Sequence, residues 1–415
     1  MELLYNLFIQ LYFYIAKVVA IYNPKAKKWV AGRKNIFEKL EQAFNNNTAK
    51  IIWLHCASLG EFEQGRTIIE QLKFQIPNSK FLITFFSASG YEIQKNYKDA
   101  DWIFYLPIDT KSNAAQFYKI VNPSLIIFVK YEFWFHYITQ AKNLNIPILL
   151  VSGVFRGNQP FFKWYGNLHR KMLQCFTHFF LQNQKSINLL HQLNITNNIT
   201  LSGDTRFDRV VKIANEPYKN IDIENFIGIA KTIVAGSTWI EDDEELDHFA
   251  NTNNHIKFIV APHEISENRL QECLSLYKNA VLFSNIKLAP KNCNVLIIDN
   301  VGMLSKLYQY ATITYVGGGF GGDGVHNVLE AAVYGKPVIF GPIYDKFIEA
   351  TELENAEGAY VVEDALELEK IFNELLSNAI LYNNYCINAK QYVLSKTGAT
   401  NKIIEFIYAN RLLTS

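Results

Sequence analysis

The stretch HCASLGEFEQGR (55–66) follows the apolar run Ile51-Ile52-Trp53-Leu54 and sets Glu61 three residues past Ser58. This pattern reads as a strand, a tight Ser-x-Gly turn and the first turn of a helix. A carboxylate there complements the positive helix end, which would keep it ionised and able to take a proton from a substrate hydroxyl. A second acid, Glu132, follows the run LIIFV (125–129) in the same way, inside Lys130-Tyr131-Glu132-Phe133-Trp134. Further along, three loops gather groups suited to an anion or a sugar: Gly236-Ser237-Thr238, Pro262-His263-Glu264 and GGGFGGDGVHNVLE (317–330).

The glycine-rich loop contains GxGxxG at Gly317, Gly319 and Gly322. A dinucleotide site also needs an acid at the end of the next strand, and Ile339-Phe340-Gly341 provides none. The alternative is a helix opening at His326-Asn327 and carrying Glu330 one turn later. Backbone N–H groups at a helix start, approached closely over glycines, suit a phosphate, and Glu330 suits a ribose diol. Each loop also has an ordinary reading. His263 alone is a surface histidine, and Ser237-Thr238 before Glu241-Asp242-Asp243-Glu244 is first a helix cap with acids in its first turn.

The elements that must position these groups are short apolar strands alternating with helices. Candidate strands are 51–56, 81–86, 125–129, 147–152 and 177–182, with helices near 61–75, 110–120, 131–143 and 183–193. After a polar segment at 204–222, read as a linker, a second series follows at 232–237, 256–262, 295–300, 312–319 and 336–342. Alternation of this kind predicts parallel sheets covered on both faces. The expected organisation is a helix at 1–22, Rossmann-like domains at 35–205 and 222–395, and a C-terminal helix at 396–415 packing back on the first domain. Two doubly wound halves would present their strand-end loops to a cleft.

At 415 residues, with 49% apolar and 19% charged residues, the chain is long enough for two cores. A net charge of +1 gives no global sign of a nucleic-acid partner. The five cysteines lack CxxC spacing and the nine histidines lack HxxxH or HExxH, so no metal site or disulfide framework is expected. Residues 1–22, MELLYNLFIQLYFYIAKVVAIY, are almost wholly apolar or aromatic and are followed by Lys25, Lys27, Lys28, Arg33 and Lys34. They lack a basic n-region and a small-residue cleavage site, so the expectation is a membrane-associated helix, spanning or surface-bound, with the remainder cytoplasmic.

Together these residues resemble the 3-deoxy-D-manno-octulosonic acid (Kdo) transferases, glycosyltransferases of GT-B architecture that modify lipid A precursors. The matching elements are Trp53 to Glu61, Leu106-Pro107-Ile108-Asp109, Glu132-Phe133-Trp134 and Gly203-Asp204-Thr205-Arg206-Phe207-Asp208. They continue with Ala235-Gly236-Ser237-Thr238, Pro262-His263, Val316-Gly317-Gly318, His326-Asn327-Val328-Leu329-Glu330 and Gly341-Pro342. The resemblance implies an inverting transfer of Kdo from CMP-Kdo to lipid IVA or a related precursor at the cytoplasmic face of the bacterial inner membrane, without metal or cofactor. It makes Glu61 the general base and Glu132 a second catalytic-site acid. Ser58, Gly60, Arg206, Ser237, Pro262, His263, Gly302, Gly317, Gly318, His326, Asn327 and Glu330 become substrate and donor contacts. By that analogy Arg206 pairs with the phosphate or the Kdo carboxylate.

This chain departs from the family pattern at several points. Ala261 stands where an arginine often precedes Pro-His, and Lys130 where an acid often precedes Glu132. Asp204 replaces Asn, Val328 replaces Pro, and Gly302-Met303-Leu304 replaces Gly-Glu-Leu. Competing readings are a GT-B transferase using a UDP-sugar with a lipid-linked acceptor, and a non-catalytic membrane-associated binding protein.

Overall fold

Runs of five or six apolar residues become strands where a sheet is covered on both faces, because every side chain must then leave water. The computed structural model, which describes residues 1–413, contains two such sheets, each of seven strands. The chain divides into two compact units: Met1–Arg209 with the chain from Thr397 onward, and Val210–Lys396. The boundary falls within the helix Thr205–Asn215, which occupies most of the segment read as a linker.

The first unit contains β1 (Ile51–Cys56), β2 (Lys80–Phe85), β3 (Trp102–Tyr105), β4 (Leu125–Val129), β5 (Ile148–Gly153), β6 (His178–Leu181) and β7 (Ile199–Leu201). They lie in the order β3-β2-β1-β4-β5-β6-β7, and all neighbours are parallel. The winding reverses between β1 and β4, whose register places His55 opposite Phe128. The loops carrying Glu61 and Glu132 therefore leave the carboxyl ends of two adjacent strands at the switch point, the usual ligand position in such sheets. Ile52, Leu54, Leu125 and Ile127 of β1 and β4 pack with Phe62 and Ile68 of the helix Leu59–Gln75. Ile403, Ile404 and Ile407 of the last helix, Ala399–Ala409, join the same cluster. Each fully buried side chain of this size contributes about 1.5–3 kcal/mol.

The second unit contains β8 (Thr232–Thr238), β9 (Lys257–Pro262), β10 (Ala280–Leu282), β11 (Val295–Ile297), β12 (Ile313–Val316), β13 (Val338–Phe340) and β14 (Ala359–Val361). Their order is β10-β11-β9-β8-β12-β13-β14. Its switch point lies between β8 and β12, where Gly236 pairs with Val316, so Ser237 and the glycine-rich loop emerge side by side.

The N-terminal helix, Glu2–Val19, is docked along one face and bare along the other. On the docked face the Tyr5 hydroxyl donates to Asp109 at 2.5 Å, Asn6 Oδ1 lies 2.6 Å from His136 Nε2, and Ile9 is buried. Tyr12 packs edge-on to Trp29 with centroids 5.7 Å apart. Tyr5, Ile9 and Tyr12, spaced four and three residues apart, lie on one helical stripe. Leu3, Leu4, Leu7, Phe8, Leu11, Tyr14, Ile15 and Val18 are exposed on the rest of the surface.

Candidate active site

In the first unit, Glu61 occupies the first turn of the helix Leu59–Gln75, and its Oε2 accepts from the Ala57 N–H at 2.5 Å. Ser58 is the N-cap residue but makes no side-chain capping bond, so Glu61 supplies the cap by reaching back. The helix start does not keep this acid ionised in the ordinary range, as expected from the dipole alone. Burial, then the neighbouring Glu132 charge, push Glu61 up to about 7, against the Ala57 N–H and Lys130, which favour the anion. A Cβ added at Gly60 would meet nothing within 4 Å, so open space lies beside the acid.

Glu132 is held differently. Its Oε2 lies 2.8 Å from His55 Nε2 and 2.7 Å from Trp134 Nε1, which donates to it. The opposite nitrogen of His55, Nδ1, lies 2.8 Å from the Thr84 hydroxyl, which accepts from Trp53 Nε1 at 2.7 Å. Trp134 Nε1 also lies 3.0 Å from His55 Nε2, and the Thr84 carbonyl oxygen lies 3.1 Å from Nδ1, so contacts at both ring nitrogens hold the imidazole in place. Second to burial, the charge of the neighbouring Glu132 raises Glu61. Glu61 is thereby placed to exchange a proton near neutrality.

Lys130 adopts φ 61° at the end of β4, in the left-handed region that a lysine seldom visits. Ser152 and Ser237 do the same at the ends of β5 and β8, at φ 51° and 57°. All three lie at the carboxyl ends of strands, where strain is commonly retained for function. Tyr131 lies within reach of Lys130 and Arg156, with cation-to-centroid distances of 5.3 and 5.7 Å. It also senses the charges of Glu61, Arg206 and Asp204, so these groups share one neighbourhood of the first unit. The guanidinium of Arg206 is bound to Asp204, with Nε donating to Oδ2 at 2.9 Å. Gln64, one turn beyond Glu61, donates to the same carboxylate at 3.3 Å.

Two other acids of the matching motifs serve as caps in trans. Asp109 accepts from the backbone N–H groups of His136 and Tyr137, each at 3.1 Å, and so caps the helix Phe135–Asn143 that follows Trp134. Asp208 accepts from Gly398 and Thr400, each at 2.6 Å, at the start of the last helix. Both helices lack a side-chain cap from their own N-cap residue.

In the second unit, Ser237, Pro262, His263, Gly317, Gly318 and His326 come together at the β8, β9 and β12 strand ends. His263 stacks on His326 with centroids 4.3 Å apart and planes at 10°, and on Trp239 at 4.7 Å and 30°. Trp239 Nε1 donates to His326 Nε2 at 3.0 Å. Burial, then His263, lower His326 to about 4. Buried Asp242 accepts from the Trp239 and Gly318 N–H groups at 2.9 and 2.8 Å and from the Tyr315 hydroxyl at 2.7 Å. It thereby ties the glycine-rich loop to the helix Ile240–Thr252.

Two expectations for this loop need correction. The helix after His326-Asn327 begins only at Leu329 and is a single turn, Leu329–Ala332. Asn327 precedes it, accepting from the Leu329 N–H at 3.2 Å and donating to Glu330 at 2.9 Å. The first glycines are also filled by protein: added Cβ atoms would lie 2.5 Å from Ser237 O at Gly317, 2.4 Å from Gly324 O at Gly318 and 2.5 Å from Gly341 N at Gly319. Gly322 leaves open space there, and at Gly321 an added Cβ would lie 3.7 Å from Gly318 O. Gly302, at φ 97°, lies in a separate exposed loop after β11. His55, Trp134, Tyr131, Trp239 and Asp242 are the site residues that the sequence reading did not assign. Their signal was proximity in sequence to the assigned strand ends.

Comparisons with known proteins bear on the relatives of the chain and on its fold. Residues 34–209 match the family model described as 3-deoxy-D-manno-octulosonic-acid transferase (kdotransferase). The chain is 29% identical over 370 residues to a bifunctional glycosyltransferase/methyltransferase of Fusobacterium nucleatum, covering 85% of this chain and 56% of that relative's length. It is 26% identical over 350 residues to the 3-deoxy-D-manno-octulosonic acid transferase of Aquifex aeolicus, covering 82% of this chain and 91% of that one. Among solved structures, the UDP-GlcNAc 2-epimerase of Neisseria meningitidis shares the fold at a TM-score of 0.62 and 16% identity, over 87% of this chain and all of its own. Over most of its length the chain is similar to 3-deoxy-D-manno-octulosonic acid transferases, and it has the GT-B fold.

Proposed function

We propose that the protein transfers Kdo from CMP-Kdo to the hydroxyl of an acylated glucosamine disaccharide, lipid IVA or a close relative, with inversion at the anomeric carbon. The observation that carries this reading is the pair of neighbouring carboxylates, Glu61 and Glu132, at the first switch point, with Glu61 raised to about 7. Glu61 accepts the acceptor proton as the new C–O bond forms, and its range near 7 matches that task. Glu132, fixed by His55 and Trp134, adds its charge to the burial that raises Glu61. Arg206 and Arg156 give the first unit a cationic surface suited to an anionic sugar acid. In the second unit the His263–His326 stack and the loop around Gly322 meet the nucleotide, with Glu330 on the ribose. The leaving phosphate is met by protein donors, in a reaction that assigns no step to a metal or cofactor.

Incubation with CMP-Kdo and lipid IVA, read by product mass, tests the reaction. An acceptor heavier by one or more Kdo residues supports it. Transfer from a UDP-sugar, with no product from CMP-Kdo, would overturn it.

We further propose that the N-terminal helix lies in the surface of the inner membrane, on the cytoplasmic side, instead of crossing it. The contacts of Tyr5, Asn6, Ile9 and Tyr12 with the first unit occupy the length a spanning segment would need free. Its bare apolar face and the exposed Lys25, Lys27 and Lys28 suit an interface rich in anionic lipid.

A further inference from the structure

The Trp239 indole makes one polar contact whose consequence reaches past packing. Its Nε1–H is donor only, so at 3.0 Å it requires a lone pair on His326 Nε2. A neutral ring with a lone pair on Nε2 carries its proton on Nδ1. Gly318 closes the Nε2 and Cδ2 side of the ring, where an added Cβ would lie 3.2 and 2.9 Å away, so the Nδ1 edge is the one turned from the loop backbone. Trp239 is anchored by its backbone N–H, which donates to Asp242, and its indole stacks on His263.

We propose that Trp239 is a positioning residue for the donor side of the site. Its indole N–H locks His326 as the neutral Nδ1–H tautomer, so that His326 offers a hydrogen-bond donor to the anionic group of the donor substrate. The lock concerns the protein alone, while the identity of the anion rests on the CMP-Kdo reading. Reaction at C2 of Kdo leaves an additional negative charge on the CMP phosphate, and a fixed N–H aimed there meets it without reorganisation. The titratable or charged groups that face His326 are His263, from the end of β9, and Asp323, from the glycine-rich loop. They act oppositely, so the indole is the contact that selects the tautomer.

The test is 15N NMR of the full chain labelled at histidine, in wild type and in Trp239→Phe, which keeps a ring for stacking and removes the N–H. The expected wild-type spectrum has His326 protonated at Nδ1 and bare at Nε2 above a midpoint near 4. Trp239→Phe should release the Nε2–H tautomer and move the midpoint up by about one pH unit. A wild-type ring protonated at Nε2 overturns the lock even if the variant does not fold. An unchanged tautomer and midpoint in a folded variant overturns it as well. CMP titration of both proteins supplies the second readout, with binding expected to weaken about tenfold in Trp239→Phe. Equal CMP affinity overturns the positioning role. A wild type that shows the tautomer but binds no CMP overturns the donor assignment and leaves the lock standing.

Discussion

His55 Nε2 lies 2.8 Å from Glu132 Oε2, and the two residues are only 0% and 7% exposed. These contacts fix the Glu132 carboxylate beside Glu61, whose titration its charge raises. Replacing Glu132 by Gln should therefore lower the Glu61 midpoint by about one pH unit, read by 13C NMR of the glutamate carboxyls. The effect on stability has a definite sign. Glu61 titrates higher in the folded chain, so between its ordinary 4.5 and about 7 the folded state binds more protons than the unfolded one. The Glu61 contribution to stability therefore falls as pH rises through that window. In Glu132→Gln the fall should be smaller, as measured by denaturant unfolding at pH 5 and pH 8.

Asp109 links the N-terminal helix to the helix beyond Trp134. Asp109→Ala would leave two buried N–H groups and the Tyr5 hydroxyl without their acceptor. A loss of about 2 kcal/mol is expected, measurable as an earlier denaturant midpoint. Trp134 should also loosen, lowering transfer by more than the unfolded fraction explains. Full activity per folded molecule would show that this cap does not support the site.

The glycine-rich loop provides an internal contrast. At Gly319 an added methyl would lie 2.5 Å from Gly341 N, whereas at Gly322 nothing lies within 4 Å. Gly319→Ala should destabilise the second unit by about 1–3 kcal/mol, and Gly322→Ala should leave its unfolding midpoint unchanged. If the open space at Gly322 receives the nucleotide, that variant loses CMP affinity while remaining folded. Unchanged CMP affinity would remove Gly322 from the nucleotide site.

For the N-terminal helix, alkaline carbonate should release the full chain from isolated membranes, as it does a surface-bound protein. Retention in the pellet would indicate a spanning helix. Vesicles containing phosphatidylglycerol should bind the protein more tightly than neutral ones, and the difference should shrink as salt rises.

Much of the fold was legible because central parallel strands are buried on both faces. All ten segments read as strands from apolar runs are strands in the structure. The four that were not legible, β3, β7, β10 and β14, are the four sheet edges. An edge strand has one neighbour and is partly exposed: Ile199 to Leu201 contains no buried residue, and Ala280 to Leu282 only one. No apolar run is then required. At the site, Glu61, Glu132, His263 and His326 were legible from strand-end position. The roles of Asp109 and Asp208 were not, because each caps a helix remote in sequence. Nor was that of Trp239, whose indole acts on a histidine 87 residues away. The ionisation of Glu61 was misread because the helix-start effect is local, whereas burial and the Glu132 charge depend on the packed sheet.

The central claim is that Glu61, brought near neutrality by burial and by Glu132, is the base in Kdo transfer. The pH dependence of kcat/KM for CMP-Kdo and lipid IVA, in wild type and Glu61→Gln, tests it most directly. The account expects wild-type activity to rise through a midpoint of about 7, where Glu61 loses its proton, and Glu61→Gln to lose transfer at every pH while still binding CMP. Substantial turnover by Glu61→Gln, or a wild-type midpoint near the ordinary 4.5, would contradict it.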